Sequence, residues 1–168
     1  MFAFGTETEA ERGGFPKRGE TPDYRYFEVA GTAHVAASII DFVAAPDQNP
    51  IDSTAVDRAA LHNLIAWIDG VEAPSSNDYI DGRGFRRRDR RPAADVCAGD
   101  LAQTNFFLFL GAHFTPFGST RLDELYPNHG AYVTRVAKAA HRLVERREIL
   151  KEDANAYIGE AAASSIGN

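Results

Sequence analysis

The chain has 168 residues, 44% of them hydrophobic and 25% charged, which suits one soluble globular domain with a buried core. Its net charge of -6 opposes nonspecific attraction to nucleic acid or to an anionic membrane, and no apolar run approaches the length of a membrane helix. A single cysteine, Cys97, excludes an internal disulfide framework, and five histidines scattered along the chain point to neither a metal nor another cofactor.

The first residues have no basic stretch and too little apolar length for a signal peptide, which implies a cytoplasmic protein if this start is genuine and otherwise leaves the compartment open. Phe2-Ala3-Phe4 reads as the tail of a buried strand whose beginning is missing. It runs into a carboxylate-rich turn, Gly5-Thr6-Glu7-Thr8-Glu9. A loop punctuated by Gly13, Gly14, Pro16, Gly19 and Pro22 follows. Tyr24 to Val29 then alternates aromatic or β-branched residues with charges, a strand pattern, and ends in the small-residue loop Ala30-Gly31-Thr32-Ala33-His34.

Residues 46–54 form a loop ending in Asp52, Ser53 and Thr54, any of which can cap a helix running to about Asp69. Leu61, Leu64, Ile65 and Ile68 fall on one face of that helix and are its expected buried stripe, with Gly70 as the stop. His62 lies beside these positions as a structural or capping residue. Six arginines then crowd into residues 83–91 with no apolar period, which predicts an exposed, mobile segment. The run from Asn105 to Gly111 fits either a buried strand or a short helix. Ser119 is placed to cap a short helix through Leu125. Asn128 opens the clearest helix, about 129–147, with Tyr132, Val133, Val136, Ala140, Leu143 and Val144 as its buried stripe. A last helix spans about 151–163, with Glu152 and Asp153 near its positive end.

Two loops carry chemistry, one holding Glu7 and Glu9 and the other His34, each placed after a strand signal. In open α/β sheets the active residues sit in loops beyond the carboxyl ends of the strands. A carboxylate on one such loop and a histidine on another form the orienting and proton-accepting half of a nucleophilic triad. By spacing alone, a lone histidine after a strand is ordinarily a surface or packed residue.

Residues 6–9 (TETE), the stretch Tyr26 to His34 (YFEVAGTAH) and residues 60–67 (ALHNLIAW) resemble the bacterial α/β-hydrolase domain-containing proteins. Residues 125–133 (LYPNHGAYV) and 149–158 (ILKEDANAYI) are similar to that family's closing helices. The resemblance implies an α/β fold: the C-terminal part of an α/β-hydrolase, its last sheet strands and covering helices, followed by a helical extension. Residues 1–72 would hold the end of the hydrolase core, 73–111 an irregular arginine-rich connection, and 112–168 the extension.

The implied activity is serine hydrolysis of an ester or related acyl bond in a small molecule. His34 carries over as general base and acid, and Glu9 as the triad acid where the family usually has Asp, with Glu7 as its alternative. No G-x-S-x-G elbow occurs in the chain, so the nucleophile does not carry over and is expected from upstream sequence. As written, the chain is expected to be inactive alone, with a sheet edge open to self-association. The competing reading is a non-enzymatic, hydrolase-derived module that binds a partner.

Overall fold

The computed structural model describes residues 1–6, 19–29, 32, 53–76, 94–97 and 113–167. Their elements in chain order are β1 (Phe2–Thr6), β2 (Arg25–Val29), α1 (Thr54–Ile68), β3 (Ala94–Cys97), β4 (His113–Pro116), α2 (Ser119–Leu125), α3 (His129–Glu145) and α4 (Lys151–Ala163). They divide between two compact units, one carrying the strands and one the helices.

In the strand unit β1 and β2 pair in parallel, with Phe2 opposite Arg25 and Thr6 opposite Val29, while β3 and β4 pair separately. In-register partners face the same side of a sheet, so one face carries Phe2, Phe4 and Phe27. Their rings meet there, Phe27 lying 5.2 Å from Phe2 and 5.8 Å from Phe4 between centroids. The opposite face carries Ala3, Gly5, Tyr26 and Glu28. Phe27, Glu28 and Val29 are consecutive and all buried, so β2 is covered on both faces. Alternation of charge and apolarity predicts one solvated face; the paired strand instead follows the pattern of a parallel sheet, where neither face meets water.

The pair is fastened at its start. The Met1 ammonium donates to the Asp23 carbonyl at 2.5 Å and the Arg25 N–H to the Met1 carbonyl at 2.9 Å. On the other side of β2, the Tyr26 N–H donates to Ser76 Oγ at 2.9 Å, and the Ser76 N–H donates to the Glu20 carboxylate. That backbone donor holds the Glu20 carboxyl below its ordinary range.

In the helical unit, Asn128 caps α3 as the sequence predicts, its side chain accepting from Ala131 N–H at 2.8 Å. The expected stripe of α3 is its packed face. Tyr132 joins Tyr126 and Ala161 in one cluster, with Val133 and Val136 against it; Ala140 joins Ala55, Ile149 and Ala154 in another, with Leu143 and Val144 against it. The turn between α3 and α4 lets the two helices pack against each other. Ser119 is not a cap but the first helical residue of α2, preceded by Gly118 in an extended conformation.

α1 departs most from expectation. Its buried residues are Ala55, Ala59, Ala60 and Asn63, whereas Leu61, Ile65 and Ile68 are 60%, 54% and 76% exposed. Small side chains allow close approach between helices, and Ala55 meets Ala140 and Ala154 there. The larger residues are turned outward as a result. His62, expected beside core positions, is exposed as well. At the end of α1, Gly70 has φ +90°, Val71 N–H reaches Ala66 O at 2.9 Å, and Gly70 N–H reaches Trp67 O at 3.1 Å. This closes the helix through a left-handed residue, as the sequence predicts for Gly70.

Buried charge also ties α1 to α4. Arg58 pairs with Asp153, which lies in the first turn of α4 and is 4% exposed. The Asp153 carboxylate therefore combines a guanidinium partner with the positive end of its own helix.

Candidate functional site

The parallel pairing gives the sheet a defined carboxyl edge, because both strands finish together at Thr6 and Val29. Glu7 follows Thr6 directly, and His34 lies five residues beyond Val29. The chain segments that carry the expected acid and the expected histidine thus depart from neighbouring points of one edge. Glu7, Glu9 and His34 themselves lie outside the described residues, as do the arginine-rich stretch 83–91 and the run 105–111.

Three described residues shape that edge. Thr32 is 1% exposed; its hydroxyl donates to the Val29 carbonyl at 2.6 Å, and its N–H approaches the same oxygen at 3.4 Å. The carbonyl that ends β2 is therefore satisfied locally, by a residue two positions before His34 in the sequence. Gly5, one residue from the end of β1, is buried under the Tyr26 ring. A β-carbon at position 5 would collide with the phenol oxygen and stand 3.0 Å from the ring carbon that bears it. A side chain here fits only if the Tyr26 phenol moves. Glu28 stands opposite Gly5 in the register and is 3% exposed, an ionisable group buried one residue from the end of β2. The sequence pattern sends Glu28 to solvent, and no local signal marks Thr32 as buried; both become visible only once β2 is covered on both faces.

The model of the family described as "Alpha/beta hydrolase domain" matches residues 1–159. This chain belongs to the alpha/beta hydrolase domain family. No curated protein and no solved structure matches it.

Membership agrees with the mixed α/β architecture of the described residues, which hold a parallel strand pair and four helices. For a hydrolase domain the carboxyl edge of a parallel sheet is where reacting groups gather, since loops there escape the ladder and can converge. The described helices carry histidines of their own, within the helical unit. His62 and His141 are exposed on α1 and α3, and His129 opens α3. Among the described residues no group of three or more His, Cys, Asp or Glu is arranged to hold a metal ion, and no helix is long and apolar enough to cross a membrane.

Proposed function

We propose that this hydrolase domain contributes the acid and the histidine of a serine-type triad that cleaves a small-molecule ester. The observation that carries this reading is the common edge at Thr6 and Val29, from which the segments leading to Glu7, Glu9 and His34 set out. The nucleophile comes from sequence outside this chain, because no serine here stands in a G-x-S-x-G elbow.

In the assembled site the His34 imidazole takes the serine hydroxyl proton as the oxygen attacks the ester carbonyl. It returns that proton to the departing alcohol, leaving an acyl-enzyme. Water then attacks with His34 again as base, releasing the acid and restoring serine. Glu9, or Glu7 in its place, holds the imidazole tautomer and stabilises the transient imidazolium.

The test is twofold. A fluorophosphonate probe should leave the purified chain unlabelled, since no acyl-enzyme forms without an activated serine. Joining the chain to a serine-bearing upstream hydrolase segment should restore cleavage of p-nitrophenyl acetate, and His34→Ala should then remove most of it. Stoichiometric labelling of the chain alone, or full activity of the joined His34→Ala enzyme, overturns the reading.

One observation favours the second reading, a partner-binding module without catalysis. Leu61, Ile65, Ile68 and Val71 are exposed large apolar residues, concentrated on and just after α1. That module would remain inert on joining and would stay a stable monomer by itself.

A further inference from the structure

The end of α4 and the start of α3 meet through His129. Its Nδ1 lies 2.9 Å from the Ile166 carbonyl oxygen, and its Nε2 lies 3.2 Å from the Ala162 carbonyl oxygen. Carbonyl oxygens only accept, so each ring nitrogen needs a hydrogen to bond here. A neutral imidazole carries one N–H and one lone pair, and the lone pair facing a carbonyl makes no bond. Only the doubly protonated ring makes both.

The segment that His129 touches is closely seated. Ser164 Oγ donates to the Ala161 carbonyl at 2.8 Å, and Ile166 packs against the Tyr126 and Tyr132 cluster. Gly167 has φ +78°, and a β-carbon there would stand 2.6 Å from the Asn128 carbonyl carbon and 2.7 Å from the His129 nitrogen. The backbone of this segment thus lies directly on the first residues of α3. The carbonyls that end a helix also carry its partial negative charge, which favours a cation beside them, while the start of α3 opposes one.

We propose that His129 is a proton-dependent latch. The doubly protonated ring holds Ser164–Gly167 against the start of α3 by donating to both carbonyls, and the neutral ring holds the segment by one bond. Protonation tightens the latch; deprotonation loosens it as pH rises through the titration of the ring. Among the described residues, the titratable and charged groups around the cluster that Ile166 joins are Tyr126 at the end of α2, Tyr132 and Arg135 on α3, and Glu160 on α4, whose charge acts on Tyr132. Burial raises both phenols, so they stay neutral while an imidazole titrates, and the Arg135 guanidinium stays charged throughout.

The latch stands independently of the hydrolase reading, and the full chain suffices to test it. Nitrogen shifts of the His129 ring, followed across a pH scan, report its protonation. Amide exchange at Ser164 and Ile166, expressed as protection factors, reports the segment in the same samples. Protection should fall about five- to tenfold as the ring loses its proton, the worth of one net hydrogen bond. The fall should vanish in His129→Gln and persist in Glu160→Gln. Equal protection on both sides of the ring's titration, or an unchanged pH dependence in His129→Gln, overturns the proposal; should that variant fail to fold, the wild-type scan decides alone.

Discussion

Asn63 Nδ2 donates to the carbonyl oxygen of Arg147 at 2.7 Å, joining the middle of α1 to the turn between α3 and α4. The amide is 6% exposed, and its acceptor belongs to a residue in the left-handed region at φ 60°. Arg147 closes α3 as Gly70 closes α1: Arg147 N–H reaches Val144 O and Glu148 N–H reaches Leu143 O, both at 2.8 Å. Its guanidinium also donates to the Glu72 carbonyl at 2.8 Å, a second bond to the segment after α1.

These two bonds separate under substitution. Asn63→Leu should cost about 1 kcal/mol, the net worth of a hydrogen bond, in urea denaturation of the full chain. Arg147→Ala loses the side-chain bond and keeps the strained φ, whereas Arg147→Gly loses the same bond and relieves the strain. The glycine variant should therefore be the more stable by about 1 kcal/mol. Equal stability of the two would show that the left-handed φ carries no cost.

Gly5 and Tyr26 form a coupled pair in the sheet. Gly5→Ala should destabilise by about 1–3 kcal/mol, because the added methyl meets the phenol oxygen in a buried position. Tyr26→Phe removes the atom that collides first and should recover part of the loss. Denaturation midpoints of both single variants and the double variant measure the coupling, and strict additivity would mean that the ring simply swings away.

On the proposed reading, Thr32 is a positioning residue. Thr32→Val keeps the shape and deletes the hydroxyl that holds the Val29 carbonyl at 2.6 Å. In the joined, active enzyme kcat should fall severalfold while KM stays nearly constant, as expected of a group that acts through His34 and touches no ester. Thr32→Ser retains the donor and should restore kcat. A loss of stability without that split would leave Thr32 a fold residue only.

Tyr126 and Tyr132 tie the stability of the helical unit to alkaline pH. Tyr126 is 1% exposed, its ring meets Tyr132 edge-on at 5.0 Å, and burial raises both phenols above their ordinary value. A phenol that binds its proton more tightly when folded gives stability that is complete below the unfolded value, near pH 10. That stability is lost as pH rises through the folded value. Absorbance titration at the phenolate band should show two tyrosines ionising late, and Tyr126→Phe should remove one of them. Ordinary titration of all six tyrosines would contradict the packing.

Helix boundaries were legible because their signals are local. Asn128 before α3, Gly70 after α1, and the stop of α4 at Ala163 all lie at or within a residue or two of the expected position. The buried face of α3 was legible too, since its large apolar residues all fall on one stripe. α1 was misread because packing there is set by alanines, which give a weak periodic signal beside Leu61, Ile65 and Ile68. The strand pair could be expected from its residues, but burial of Glu28 depends on what covers the second face of β2, which no local pattern records. The acid and histidine rested on resemblance to a family, and the match to that family supports the fold around them.

Ser76 has a consequence for assembly. The Arg25 N–H points toward β1, to Met1, so the Tyr26 N–H points away from it and is already occupied by the serine hydroxyl. A strand arriving on that side would have to displace both this bond and the one from Ser76 N–H to Glu20. The outer side of β2 is therefore occupied at Tyr26, while among the described residues no strand pairs with the far side of β1. A strand joining this pair beside β2 thus has a side-chain contact to displace before its own ladder can form, a cost that occupied backbone donors impose on strand addition.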